Sequence, residues 1–137
     1  MDKYESLLVR QKSNQKKTIE MKYNSELNRR HKITVNGSAF TPEVSNNEIS
    51  IKVDQKSFSD IKEYVRWLHD QGKTTGKLIN PDNGSVWTVP IEEYDKIIKN
   101  IRNIACVNWE KKQKLQSTID VQTKIEDVFQ ITWESSV

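Results

Sequence analysis

From Asn83 to Trp133 the chain carries a nearly continuous series of structural signals, and the rest of the fold has to be built around them. The turn residues Pro81-Asp82-Asn83-Gly84 feed a short β run, Val86-Trp87-Thr88-Val89. Pro90 then opens a helical pattern of about 27 residues, with Ile91, Tyr94, Ile98, Ile101, Ala105 and Asn108 on one stripe and Ile97, Ile104 and Trp109 widening it. Proline suits a first helical turn, and Glu92 and Glu93 suit the positive end of a helix dipole. Lys111-Lys112-Gln113-Lys114 suits the negative end and is expected to stay solvated. Leu115 and Ile119 follow, and then a short helix over about Val121 to Thr132 that presents Ile125, Val128 and Phe129.

Upstream, residues 2–29 contain no Gly or Pro and many helix formers. Apolar positions there are sparse: Tyr4, Leu7 and Leu8, then Ile19, Tyr23 and Leu27 on one face at i, i+4, i+8. Such a helix buries little alone and needs a partner, either the rest of the fold or a second copy. The heptad is not sustained, so a coiled coil is not assigned. At His31 the period changes. Ile33 and Val35 alternate with polar residues, and Asn36-Gly37 signals a hairpin with Ser38-Ala39-Phe40 returning as its partner. Thr41 to Asn47, with Pro42, reads as a loop.

Ile49, Ile51 and Val53 alternate as a half-buried strand. Ser57-Phe58-Ser59-Asp60 carries a capping signal for a helix whose inner face is Phe58, Ile61, Tyr64, Val65 and Leu68, ended by Gly72. Lys73 to Gly76 reads as a flexible polar connector. Lys77 to Asn80 and Ser85 to Val89 flank a turn and form a second hairpin.

The expected fold is therefore α+β: a basic N-terminal helix, small antiparallel β-hairpins, two main helices and a short C-terminal helix. Residues 1–30 are expected as a helical arm and residues 31–137 as a compact α+β domain. The expected core draws on Ile33, Val35, Ile51, Val53, Phe58, Ile61, Val65, Leu68, Tyr94, Ile98, Ile101, Leu115, Ile125, Val128 and Phe129. An apolar fraction of 34% in 137 residues, concentrated after Ile33, fits a modest core there.

Charge is uneven although the net value is only +3. Residues 1–32 hold nine Lys or Arg against four Asp or Glu. Lys16, Lys17, Lys22, Arg29 and Arg30 form a candidate basic patch, for which a solvated helix face is the plainer reading. Cys106 is the only cysteine, so an intramolecular disulfide is excluded. No run of 18 apolar residues suggests a membrane span, and Met1-Asp2-Lys3-Tyr4-Glu5 lacks the apolar core of a signal peptide. Folding in a cytoplasm is expected.

Catalytic chemistry finds little to stand on. Gly72-Lys73-Thr74-Thr75-Gly76-Lys77 fails phosphate-loop spacing, because Gln71, Leu78 and Trp67 occupy the positions that need Gly, Ser/Thr and Gly. His31 and His69 have no Cys or acidic cluster at metal spacing and read as surface residues. Cys106 has no His to activate it and reads as partly buried and inert. Glu92 and Glu93 point about 100° apart on a helix, so they do not form an acid–base pair. Asn36-Gly37-Ser38 and Asn83-Gly84-Ser85 match a glycosylation sequon but read as turn chemistry. Catalytic, cofactor and metal residues are all expected to be absent. Trp67, Trp87, Trp109 and Trp133 sit in or beside apolar segments, where packing is favoured over base stacking. Trp67 falls off its helix stripe and Trp133 lies near the C-terminal end, which makes them the best interface candidates beside Tyr4, Leu7, Leu8, Ile19, Tyr23 and Leu27.

The series Asp82-Asn83-Gly84-Ser85-Val86, Val89-Pro90-Ile91-Glu92-Glu93-Tyr94, long helix, Leu115, Ile119 and Ile125-Glu126-Asp127-Val128 resembles a tailed-bacteriophage domain of unknown function found in tail and tail-fibre assembly proteins. The resemblance runs over about residues 17–133. Val89-Pro90 stands where Leu-Thr is usual, Tyr94 where Phe is usual, Gln122 where a small Ala is usual, and Asp127-Val128 where Glu-Leu is usual. The family has no established catalytic residues, so none carries over.

The resemblance implies a non-enzymatic protein that helps fold, attach or decorate a phage tail or its fibres, as a virion adaptor or an assembly chaperone. Its expected partner is a tail or tail-fibre protein, with homo-oligomers as a further form and no membrane or small-molecule substrate. Its expected place is the host cytoplasm during assembly, and then the virion tail. The alternative is a small nucleic-acid-binding or host-inhibitor protein that uses the basic N-terminal helix.

Overall fold

A computed structural model describes residues 2–35, 38–39 and 48–136. The chain is α+β and divides into two compact units. One consists of residues 28–105, the other of residues 1–27 with residues 106–137. The N-terminal helix shares a unit with the C-terminal third of the chain.

The contiguous unit begins with β1 (Arg30–Thr34), β2 (Ser38–Ala39) and β3 (Glu48–Lys52). β1 pairs antiparallel with β3, with His31 opposite Ile51 and Ile33 opposite Ile49. β2 instead joins β5 (Val86–Pro90), which also pairs with β4 (Thr75–Ile79), giving the order β2-β5-β4. The hairpin expected across Asn36-Gly37 is thus corrected: Ser38-Ala39 leaves the β1 sheet and serves the other one. The turn at Asn36-Gly37, Phe40 and the Thr41–Asn47 loop lie outside the described residues.

The second hairpin is present as expected, and Thr75-Gly76, expected in a flexible connector, belong to its first strand. Its turn is held by asparagine side chains. Asn80 Oδ1 accepts the amide of Asp82 at 3.0 Å, and Asn83 Oδ1 accepts the amide of Ser85 at 3.0 Å. Gly84 supplies a φ of 72° there. Ser85 Oγ then accepts the indole N–H of buried Trp87 at 2.9 Å, so the core tryptophan leaves no polar group unpaired.

Helix α2 (Gln55–Asp70) starts earlier than the capping signal suggested. Asp54 is the N-cap, its carboxylate accepting the Ser57 amide at 3.2 Å. The helix ends in a Schellman motif: the Gly72 amide reaches His69 O and the Lys73 amide reaches Leu68 O, with Gly72 at φ 66°. Val65 and Leu68 are buried, while Phe58 and Ile61 are only half-buried. β3 buries Ile49 and leaves Ile51 half-exposed, the reverse of the expected emphasis. His31, expected at the surface, is buried on β1.

Helix α3 (Ile91–Asp120) starts one residue after Pro90, which closes β5, and runs past the lysine cluster. Its first half buries Ile91, Tyr94, Ile97 and Ile101, and Ile97 rather than Ile98 is the inner residue. Glu92 is exposed and Glu93 buried, with Glu93 Oε1 receiving Lys96 Nζ at 2.9 Å. The two carboxylates part as helix geometry requires.

The second unit is helical: α1 (Lys3–Asn28), the later half of α3, and α4 (Ile125–Phe129). Ile19, Leu115, Ile119, Val128 and Ile131 form its core, with Leu8 and Trp133 packed against it. Around this core the helix contacts are polar. Lys16 pairs with Asp120 at 2.9 Å and Lys112 with Glu20 at 3.2 Å. Gln15 Nε2 donates to Ile131 O at 2.7 Å. The lysines expected in water are in part engaged. Phe129, expected in the core, is 53% exposed, because α4 is a single short turn that aims Val128 inward and its neighbour out.

Candidate functional site

The contiguous unit carries an aromatic ladder that climbs from its core to its surface. Tyr94 is buried; Tyr64 meets it edge to face, with ring centroids 5.6 Å apart and planes at 73°. Trp67 stacks on the outer side of Tyr64 at 5.9 Å and 18°, and is 46% exposed. These are favourable aromatic geometries. Lys73, just beyond the end of α2, places its Nζ 4.7 Å from the centre of the Trp67 ring.

The tyrosine hydroxyls lock this arrangement to the sheet. Tyr64 Oη accepts the Lys77 amide at 2.8 Å, and Tyr94 Oη donates to the Lys77 carbonyl. β4 is an edge strand, so both outward-facing groups of Lys77 would otherwise be open. Burial, with the neighbouring Tyr64 adding to it, pushes the Tyr94 phenol far above its usual range, so it stays a donor. Gly76 allows the approach: a Cβ there would lie 2.7 Å from Leu68 Cδ1 and 2.9 Å from Tyr94 Cε2. Trp67 is thus a half-exposed ring held against Tyr64, which is itself tied to the sheet.

The other predicted interface residues belong to the helical unit, apart from Trp67. Ile19 is 0% exposed and is corrected from interface to core, because Leu115, Ile119 and Val128 enclose it. Leu8 and Trp133 flank the same core, and Lys111 Nζ sits 4.4 Å from the Trp133 ring. Tyr23 is half-buried under Lys112 Nζ at 4.4 Å, and Leu27 is half-buried. Tyr4 and Leu7 remain exposed, and Tyr4 Oη accepts the Ile125 amide at 3.2 Å.

The residues of the expected basic patch are divided between the two units. Lys16 is spent on Asp120. Lys17 and Lys22 stay exposed on α1, whereas Arg29 and Arg30 belong to the other unit. Arg30 instead stands with Lys32 and Lys52 on the outer face of the β1–β3 pair. Three exposed features escaped sequence reading: Trp109 at 50%, Val107, and Cys106, which is exposed rather than partly buried. All three fall where the α3 stripe passes from one unit's core to the other's, and only a two-unit division would have located that crossover.

Among the described residues, no group of three or more His, Cys, Asp or Glu could hold a metal ion, and no helix is long and apolar enough to cross a membrane. No family model matches this chain, and neither a curated protein nor a solved structure matches it.

Proposed function

We propose that this chain is a non-enzymatic component of a bacteriophage tail or tail fibre, either an adaptor retained in the virion or a fibre-assembly chaperone. It acts through protein–protein contacts. Trp67 is the observation that carries the contact mode: a large ring, nearly half exposed, held by Tyr64, with the Lys73 ammonium over its face. Rigid, partly exposed tryptophans have the character of interface hot spots, since little rotamer freedom is left to lose. The phage assignment is supported by the order of turn, strand, long helix and terminal Ile125–Val128 unit. The pairing of Lys16 with Asp120 weighs against the rival nucleic-acid reading, because it removes one cation from the patch.

Quantitative mass spectrometry of purified particles tests the reading. A fixed stoichiometry with tail proteins identifies an adaptor. Presence in the infected lysate alone, with capture of a fibre subunit, identifies a chaperone. Absence from both, with no tail protein captured, overturns the proposal.

A further inference from the structure

The contiguous unit holds a second feature that does not depend on the phage reading and lies on residues other than the Trp67 ladder. Arg30 and Lys52 stand directly opposite each other across the β1–β3 pair. Like charges in that position destabilise a sheet. Neither residue joins an ion pair among the described residues. Asp54 feels the charge of Lys52, but its carboxylate is committed to the Ser57 amide.

Arg30 and Lys52 both line a cleft of about 390 Å³, in which Asp60 is the one acidic residue among the described lining residues; Asp82, beside it, is engaged by the Ser50 hydroxyl at 3.1 Å. The apolar part of the lining includes Ile51 from β3, Ile61 from α2 and Ile79 from β4. Among the described residues β3 and β4 are end strands of different sheets, so each has a side with no described strand beside it. At Lys77 that side of β4 is closed by the two tyrosines. Ile79, by contrast, is 64% exposed despite its place in the strand.

We infer that this cleft binds an extended acidic segment of a partner protein, a carboxylate lying between Arg30 and Lys52 and an apolar side chain against Ile61 and Ile79. An extended chain repeats its side-chain direction every second residue, about 6.6 Å along, and sheet edges supply main-chain hydrogen bonds to such segments. A simple inorganic anion would satisfy the cations and leave the isoleucines uncovered. A basic segment would add to the repulsion already present.

The test is an NMR titration of the ¹⁵N-labelled full chain with a blocked peptide of alternating valine and glutamate, against one of alternating valine and lysine. The acidic peptide is expected to shift residues 30, 51, 52, 61 and 79, with affinity at least about tenfold above the basic one. The double variant Arg30→Gln/Lys52→Gln is expected to lose those shifts while melting no lower than the parent, because neutralisation removes a repulsion. The inference is overturned by shifts that are absent or scattered, by equal affinity for both peptides, or by binding that persists in the double variant. It is equally overturned if inorganic phosphate alone reproduces the same shifts, or if the double variant melts lower.

Discussion

The hydroxyl of Tyr64 accepts the backbone amide of Lys77 at 2.8 Å, closing from the side of α2 a donor that the sheet cannot use. Lys77 faces Thr88 across the strands, and its Nζ donates to Thr88 Oγ1 at 2.9 Å. Close side chains with outward-turned backbone groups mark a pair not hydrogen-bonded through the main chain. The tyrosine supplies what a further strand would have supplied.

Gly76 is the tightest point beneath this arrangement. Gly76→Ala would drive a methyl into Leu68, Tyr94 and Tyr64, all within 3.1 Å of the added carbon. We expect a loss of about 1–3 kcal/mol, the usual cost of overpacking, read as a lower denaturant midpoint at an unchanged slope. Gly72→Ala meets no atom within 4 Å and should cost less, about 1 kcal/mol, from its left-handed φ alone.

Trp67→Ala should separate binding from folding. The ring is on the surface and its loss removes one stacking contact, about 0.5–1.5 kcal/mol of stability. If Trp67 anchors the partner, capture of that partner should fall by about 2 kcal/mol or more in affinity. Unchanged capture by a folded variant would remove Trp67 from the interface.

Ile19→Ala should cost about 2–5 kcal/mol, because the residue is fully enclosed by Leu115, Ile119, Val128 and Ile131. Leu7→Ala, at an exposed site on the same helix, should stay within about 0.5 kcal/mol of the parent. Urea melts of the two variants check the contrast. Deleting residues 1–29 is accordingly a poor way to remove only a docking arm, since it also uncovers the core that Ile19 completes.

Asp54 gives the contiguous unit an acid-sensitive cap. Hydrogen bonding to Ser57 holds its carboxyl below the usual aspartate range, with Lys52 adding to the effect. A depressed folded-state value means the contribution is present above the unfolded-state value, about 4, and fades as pH falls through the folded one. Asp54→Ala should therefore cost about 1 kcal/mol near neutrality. The gap between parent and variant should close in strong acid; a gap independent of pH would contradict the ionised cap.

Much of the fold was legible because local signals agreed with one another. Asn83-Gly84 did make a turn, Gly72 did end α2, and the Gly- and Pro-free N-terminal stretch is one helix. The failures share a cause: they depended on partners distant in sequence. Ser38-Ala39 pairs with Trp87 and Thr88 rather than with the strand beside it in the chain. Ile19 looked available because its covering residues begin near Leu115. Phe129 looked internal because a one-turn helix offers no periodicity from which to choose a face. At the candidate site, Trp67 stood out by its position off the stripe, but nothing in the sequence showed that Tyr64 and Tyr94 would meet at Lys77.

The helical unit joins the beginning of the chain to its later third, with Glu20 reaching Gln116 across 96 residues. During synthesis, α1 therefore leaves the ribosome well before any residue that can cover Ile19. The intervening unit, contiguous from residue 28 to residue 105, can complete itself in that interval. At about 5–20 residues per second, the exposed helix waits several seconds for Leu115 and Ile119 to appear. For that time Ile19 is without the residues that enclose it in the finished fold.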